Sequence, residues 1–171
     1  MRVLKFLGVL FLIVAACLAV VLVMGSRLPR AHTATASAII AAPQAQVWQT
    51  IEDIDTQPKW RPSLLSVEAM PAENGHRCWT EVYKGMKMPL CEDLAVPPST
   101  RIVRVADPKL PFGGAWVYEL QPIDASSTRI TITENGTTGP ALWRFAGHYI
   151  LHEDTTIKQY EADLQKAMPP R

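Results

Sequence analysis

Residues Phe6 to Gly25 run for twenty residues without a single charged side chain, a length and composition suited to crossing a bilayer. At about 1.5 Å of rise per residue the helix would be about 30 Å long, the thickness of a bilayer's hydrocarbon core. Arg2 and Lys5 flank it on one side, Arg27 and Arg30 on the other. The chain therefore divides into an apolar span with basic flanks over residues 1–30 and one water-facing domain over residues 31–171.

Two other readings of the span compete with this one. A cleaved leader has an apolar stretch of about 7–15 residues, so this run is long for one. The small-x-small strings Ala34-Thr35-Ala36 and Ala36-Ser37-Ala38 fit the first strand of the domain better than a cleavage site. Val14-Ala15-Ala16-Cys17 resembles a bacterial lipoprotein signal, but the apolar residues Leu18 to Val23 continue where such a signal turns polar. A retained anchor is expected, with Cys17 an inert residue inside it. Two basic residues on each side leave the orientation tied by charge. The short basic tail before the span leans towards a cytoplasmic N-terminus and a translocated domain.

After Arg30, thirteen Lys and Arg stand against sixteen Asp and Glu, a net charge of −3. A mildly acidic domain with no basic cluster is a poor nucleic-acid binder, and none is expected as a partner. By its total charge it would not cling to an anionic membrane surface either. Some 140 residues suffice for one core and hardly for two.

Thr33 to Ala41 is a β-compatible run of small residues. Pro43 then opens a helix with Val47, Trp48 and Ile51 on one face, ending near Asp55. The stretch from Gln57 to Pro62 is too proline-rich to continue it. Six strand-like segments follow: Leu64 to Met70, Arg77 to Tyr83, Lys87 to Val96, Arg101 to Ala106, Ala115 to Pro122 and Thr128 to Glu134. Asn74-Gly75, Lys84-Gly85, Pro97-Pro98 and Gly113-Gly114 separate several of them. Gly139-Pro140 introduces a long helix towards Met168, with Trp143, Ala146, Ile150, Ile157, Tyr160 and Leu164 along it. The economical solution is an α+β fold in which one curved antiparallel sheet wraps around the amphipathic C-terminal helix.

The string Ile40-Ala41-Ala42-Pro43-Gln44-Ala45-Gln46-Val47-Trp48 resembles the opening of the START-like superfamily, also called SRPBCC or polyketide cyclase/dehydrase-like. Pro58 to Pro62, Trp79-Thr80-Glu81, Pro111 to Trp116 and Thr131 to Gly136 resemble it in the same order. The resemblance runs from about Thr33 to Met168 and implies a helix-grip fold with a deep, mostly apolar cavity. It implies a hydrophobic ligand, such as a lipid, more strongly than it implies a reaction.

Period-two alternation places Trp116, Tyr118 and Leu120 on one strand face, Ile130, Ile132 and Glu134 on another, and Trp79, Glu81 and Tyr83 on a third. If the aromatic faces point inward, Glu81 and Glu134 come with them, and a buried carboxylate needs a partner. Glu81 and Glu134 then serve as polar anchors or, with Tyr118, as acid/base groups. The competing reading, which is favoured, has them at strand ends, solvated or paired to an Arg such as Arg144 or Arg104. Trp79, Trp116, Tyr118 and Trp143 are core residues in the first instance and ligand contacts in the second, because the cavity wall of this fold is its core. Trp60 is expected to pack the proline-rich turn, with Arg61 stacked on it.

No cofactor or metal is expected. His148 and His152 share a helix face, but two ligands are not a site. No nucleophile motif or phosphate loop is present. If Lys84-Gly85 is a two-residue hairpin loop, Cys78 lies directly opposite Cys91; a three-residue loop puts them on opposite faces. A disulfide in an oxidising compartment and two free thiols remain equal alternatives. The sequence thus points to a single-pass bacterial inner-membrane protein, its domain outside, binding a small hydrophobic molecule or lipid. A cyclase- or dehydratase-like enzyme and a closed accessory domain are the alternatives.

Overall fold

The computed structural model describes residues 2–151 and 154–169. Helix α1 (Arg2–Arg27) is followed by strand β1 (Ala31–Ile40), helix α2 (Gln44–Glu52) and a 3₁₀ turn (Ile54–Lys59). Strands β2 (Ser66–Glu73), β3 (His76–Tyr83), β4 (Met86–Val96), β5 (Thr100–Val105), β6 (Phe112–Pro122) and β7 (Thr128–Thr138) follow in turn. The chain closes with α3 (Ala141–Ala146), a π-helical turn (Gly147–Leu151) and α4 (Thr155–Ala167). Lys5 to Arg27 of α1 is long and apolar enough to cross a membrane.

All seven strands form one antiparallel sheet in the order β1-β7-β6-β5-β4-β3-β2. This is the helix-grip fold, with the C-terminal helix held against the concave face. Its core is built from the strand parity and helix spacing visible in the chain. Val47, Trp48 and Ile51 of α2 and Ile157 and Leu164 of α4 are buried against Ile40, Leu120, Ile130 and Ile132 of the sheet. Each such side chain contributes about 1.5–3 kcal/mol relative to exposure. A second cluster, Trp79, Met88, Leu90 and Val103, lines the neighbouring half of the same face. Gly114 sits at φ +126°, where a Cβ would collide with the Asn135 carbonyl, so only glycine lets β6 and β7 close there.

The C-terminal helix departs from expectation in one respect. It is interrupted after Ala146 by the π turn, and α4 starts afresh at Thr155. A π turn inserts an extra residue and rotates the helix stripe. Trp143 and Ile150 therefore do not continue the buried row of Ile157 and Leu164. They are 59% and 63% exposed, and α3 packs beside the last turns of α1.

Each of the seven strands has one end at the α1 side of the sheet. Ala31 pairs with Thr137, Phe112 with Thr138, Ala115 with Arg104, and Leu90 with Val105. The tip of the β3–β4 hairpin, where Tyr83 pairs with Met86, lies at the same end. This end carries the loops that ring the cavity mouth.

Candidate functional site

Between the concave sheet face and α4 lies a cavity of about 610 Å³. At about 30 Å³ per water molecule it would hold about twenty, which suits a drug- or lipid-sized guest. Met88, Leu90, Val103, Trp116, Ile132 and Ile157 make its waist. Three groups of polar residues stand in or beside it, apart from the Gln159–Asp163 hydrogen-bonded pair of α4.

The first group stands on β3 near the hairpin tip. Arg61 donates from Nη1 to Glu81 Oε1 at 2.6 Å and from Nη2 to Glu81 Oε2 at 3.0 Å. Arg61 Nη2 also reaches the Tyr83 hydroxyl at 2.7 Å, and that hydroxyl donates to Glu81. Gln57 Oε1 accepts from Arg61 at 2.6 Å, while its amide is fixed by the Ile51 carbonyl at 2.9 Å. The proline-rich turn thus delivers one guanidinium to one buried carboxylate. Burial alone would lower the Arg61 pKa, but the Glu81 carboxylate outweighs it and raises the value. Burial, reinforced by Glu81, raises the Tyr83 pKa, so the phenol stays protonated.

The second group is at the mouth. Glu134 accepts from Trp116 Nε1 at 2.9 Å and lies 3.2 Å from His32 Nε2. Thr156 at the start of α4 approaches the same carboxylate at 3.4 Å.

The third group is at the inner end, away from α1. Arg101 is 2% exposed, donates from Nε to Glu92 at 2.6 Å, and donates from Nη1 to the Ile51 carbonyl. Its remaining nitrogen, Nη2, has no hydrogen-bond partner among the described residues, and neither has Trp79 Nε1. The two side chains stack, with Arg101 Cζ 5.3 Å from the Trp79 ring centre. Tyr118 pairs with Arg101 across the strands. Burial, with Tyr160 beside it, raises the Tyr118 pKa well above its ordinary value; burial likewise pushes Tyr160 up to about 12. Both phenols are donors at neutral pH.

A family model described as polyketide cyclase/dehydrase and lipid transport matches residues 31–160. The chain belongs to that family. No curated protein matches it. Among solved structures, a START superfamily protein from Mycobacterium smegmatis shares 13% identity at a TM-score of 0.63, covering 80% of this chain and 97% of its own. An aromatase/cyclase from Streptomyces shares 13% identity at a TM-score of 0.67, covering 81% and 93%. A conserved protein from Geobacillus kaustophilus shares 17% identity at 0.63, covering 80% and 95%. At such identities the likeness establishes the START-like fold, and ligand choice must be read from this chain's own side chains.

Those side chains sort the sequence-derived candidates. Trp79, Glu81, Trp116, Tyr118 and Glu134 all line the cavity. Trp143 does not; the π turn turns it to the outside beside α1. Glu81 is paired to Arg61 rather than to Arg144 or Arg104. Arg104 instead bridges Glu73 and Asp93 on the outer face. Arg144 donates to the Gly25 carbonyl at 2.9 Å. Arg61 stacks on Tyr160, 5.1 Å from its centre, and not on Trp60, which meets Tyr160 edge-on at 5.3 Å. Cys78 and Cys91 are cross-strand partners across the Lys84-Gly85 loop, with Cα atoms 4.1 Å apart and sulfurs at bonding distance. His148 is exposed, and His152 lies outside the described residues.

Sequence reasoning missed the roles of Arg61, Arg101 and His32. For Arg101 the signal existed: it shares strand parity with Val103, so an inward Val103 carries an arginine inward. Arg61 and His32 gave no comparable signal, because their partners Glu81 and Glu134 are 20 and 102 residues away in the chain.

Proposed function

We propose that this family member is a membrane-anchored binding protein for a lipid or other small apolar molecule. The roughly 610 Å³ cavity carries this reading, because its waist is apolar and too large to be a packing defect. The unpartnered Arg101 and Trp79 nitrogens at the inner end refine it. They favour a guest that enters with an oxygen acceptor leading, a carboxylate or carbonyl, since such buried donors are costly to leave unmade. Trp79, Trp116 and Tyr118 form the contact wall, and Glu81 and Glu134 hold its shape as acceptors.

The α1 helix serves as a retained single-pass anchor, keeping the cavity within a short distance of a bilayer-dissolved ligand. A disulfide between Cys78 and Cys91 fits a domain on the outer, oxidising side of a bacterial inner membrane. An acid/base reading, cyclase- or dehydratase-like, draws support from His32 beside Glu134 at the mouth. Against it, Glu81 is fully engaged by Arg61 and Tyr83, and the Tyr118 phenol is held protonated.

Native mass spectrometry of the full-length protein, released from detergent and followed by lipid extraction, tests the proposal. The expected result is one co-purifying apolar molecule per chain, lost on Arg101→Met. An empty protein that also refuses fatty acids, isoprenoids and phospholipids would leave the closed accessory role as the better account.

A further inference from the structure

Outside α1 and the cavity, uncovered apolar side chains occur along the sheet and its connections at Ile39, Leu65, Leu94, Val96 and Ile123, but four gather on one short segment. Leu142, Trp143, Tyr149 and Ile150 are 46%, 59%, 51% and 63% exposed, and all lie on the stretch formed by α3 and the π turn. This stretch is fixed to the end of α1. Gly25 of α1 approaches α3 so closely that a Cβ would run into the Ala141 carbonyl and meet Phe145 Cβ at 3.2 Å. Arg144 Nε donates to the Gly25 carbonyl at 2.9 Å, and Thr138 N donates to the Arg30 carbonyl at 2.8 Å. The outward side chains of α3 are therefore carried on the last turns of the helix long enough to span a bilayer.

The same end of the sheet holds the cavity mouth, where Phe112, Thr138 and Thr156 stand in the lining. It also gathers exposed cations: Arg27 and Arg30 after the span, Lys84 at the β3–β4 tip and Lys109 in the β5–β6 loop. An aromatic and aliphatic face beside a ring of Lys and Arg is the composition of a headgroup-level membrane contact.

We propose that the α3–π segment, residues 141–151, is a second membrane contact. It lies in the headgroup region of the leaflet into which α1 opens, and it holds the cavity mouth against that leaflet. The occupant of this apolar face is the lipid bilayer, by continuity with α1: Ala141 and Phe145 pack on Gly25, so a span ending at Gly25 brings Leu142 and Trp143, which lie between them in the chain, to the same boundary. A lipid can then pass from leaflet to cavity without crossing bulk water. The proposal rests on the reading of α1 as a span, and the experiment separates the two.

The test uses the full chain in phosphatidylcholine–phosphatidylglycerol vesicles, carrying a polarity-sensitive fluorophore on one cysteine at a time. The positions are native Cys17 within α1, Ile150→Cys in a Cys17→Ser background, and Ser126→Cys at the far end of the domain in that background. The expected pattern is Cys17 quenched by a deep spin-labelled lipid, Ile150→Cys blue-shifted and quenched by a headgroup-level one, and Ser126→Cys quenched by neither. Quenching at Cys17 with none at Ile150→Cys overturns the second contact while the span stands. No quenching at either position removes the span and the proposal together. As a second readout, the variant W143S/I150S, altered only at exposed positions, is expected to slow lipid uptake from vesicles at least tenfold without changing occupancy at equilibrium. An unchanged rate counts against the proposal.

Discussion

Replacing Arg61 by Met is the sharpest test of how the cavity wall is held. The side chains of Arg61 and Glu81 are only 12% and 6% exposed, so their ion pair is almost wholly out of water. Arg61→Met removes both bonds to Glu81, the one to Tyr83 and the one to Gln57, leaving the carboxylate with the Tyr83 hydroxyl as its remaining donor. Breaking a buried pair from one side costs about 3–5 kcal/mol, because the orphaned charge remains desolvated. At about 3 °C per kcal/mol for a domain of this size, the melting midpoint should fall by about 10–15 °C. The assay is tryptophan fluorescence against temperature on the full-length protein in detergent, where the apolar α1 contributes no tryptophan signal. The double variant Arg61→Met, Glu81→Gln removes the charge as well and should recover most of the loss. If the single variant falls by less than about 1 kcal/mol and the double simply adds to it, the pair is solvent-screened and the dry-wall argument is wrong.

Three further predictions concern parts of the fold away from that pair. Gly114→Ala should destabilise by at least about 2 kcal/mol in a urea titration, because a Cβ at φ +126° meets the Asn135 carbonyl and lies 2.8 Å from Gly136 Cα. Glu161, 4% exposed and with one carboxylate oxygen unpartnered among the described residues, has its pKa raised from 4.5 to about 7, chiefly by burial, with Lys158 opposing. The native state holds that proton after the unfolded chain has lost it, so stability should fall as pH rises from about 4.5 to about 7 and level off above. Glu161→Gln should remove up to about 3 kcal/mol of this slope in midpoints measured across that range; an unchanged slope would mean the carboxyl is hydrated. Cys78→Ser with Cys91→Ser should cost about 3 kcal/mol if the 13-residue separation is closed by a disulfide. Insensitivity of the wild-type midpoint to dithiothreitol, with two thiols titrating besides Cys17, would show that the pair is free.

Much of this architecture was legible because it rests on local rules. The β3–β4 register follows from one two-residue loop, and the inward parity of Trp79, Trp116 and Ile132 follows from alternation. The break in the last helix was not legible. The spacing of Trp143, Ile150, Ile157 and Leu164 looks continuous, and only a π turn, which has no composition of its own, shifts the phase. Total charge carries no information on placement. That Lys84 and Lys109 of the net −3 domain stand at the same end as Arg27 and Arg30 depends on strand order and not on counts. The partners of Glu81 and Glu134 were missed for the same reason, since topology and not spacing brings Arg61 and His32 to them.

The central claim is that the space between sheet and α4 is an occupied binding site. It is tested most directly by titrating a fluorescent fatty acid into the full-length protein and into Met88→Trp, which fills the waist from a buried lining position. The account predicts saturable binding at one molecule per chain in the wild type. In Met88→Trp it predicts binding at least tenfold weaker, with the melting midpoint kept. Equal binding by both proteins, or none by either, would contradict it.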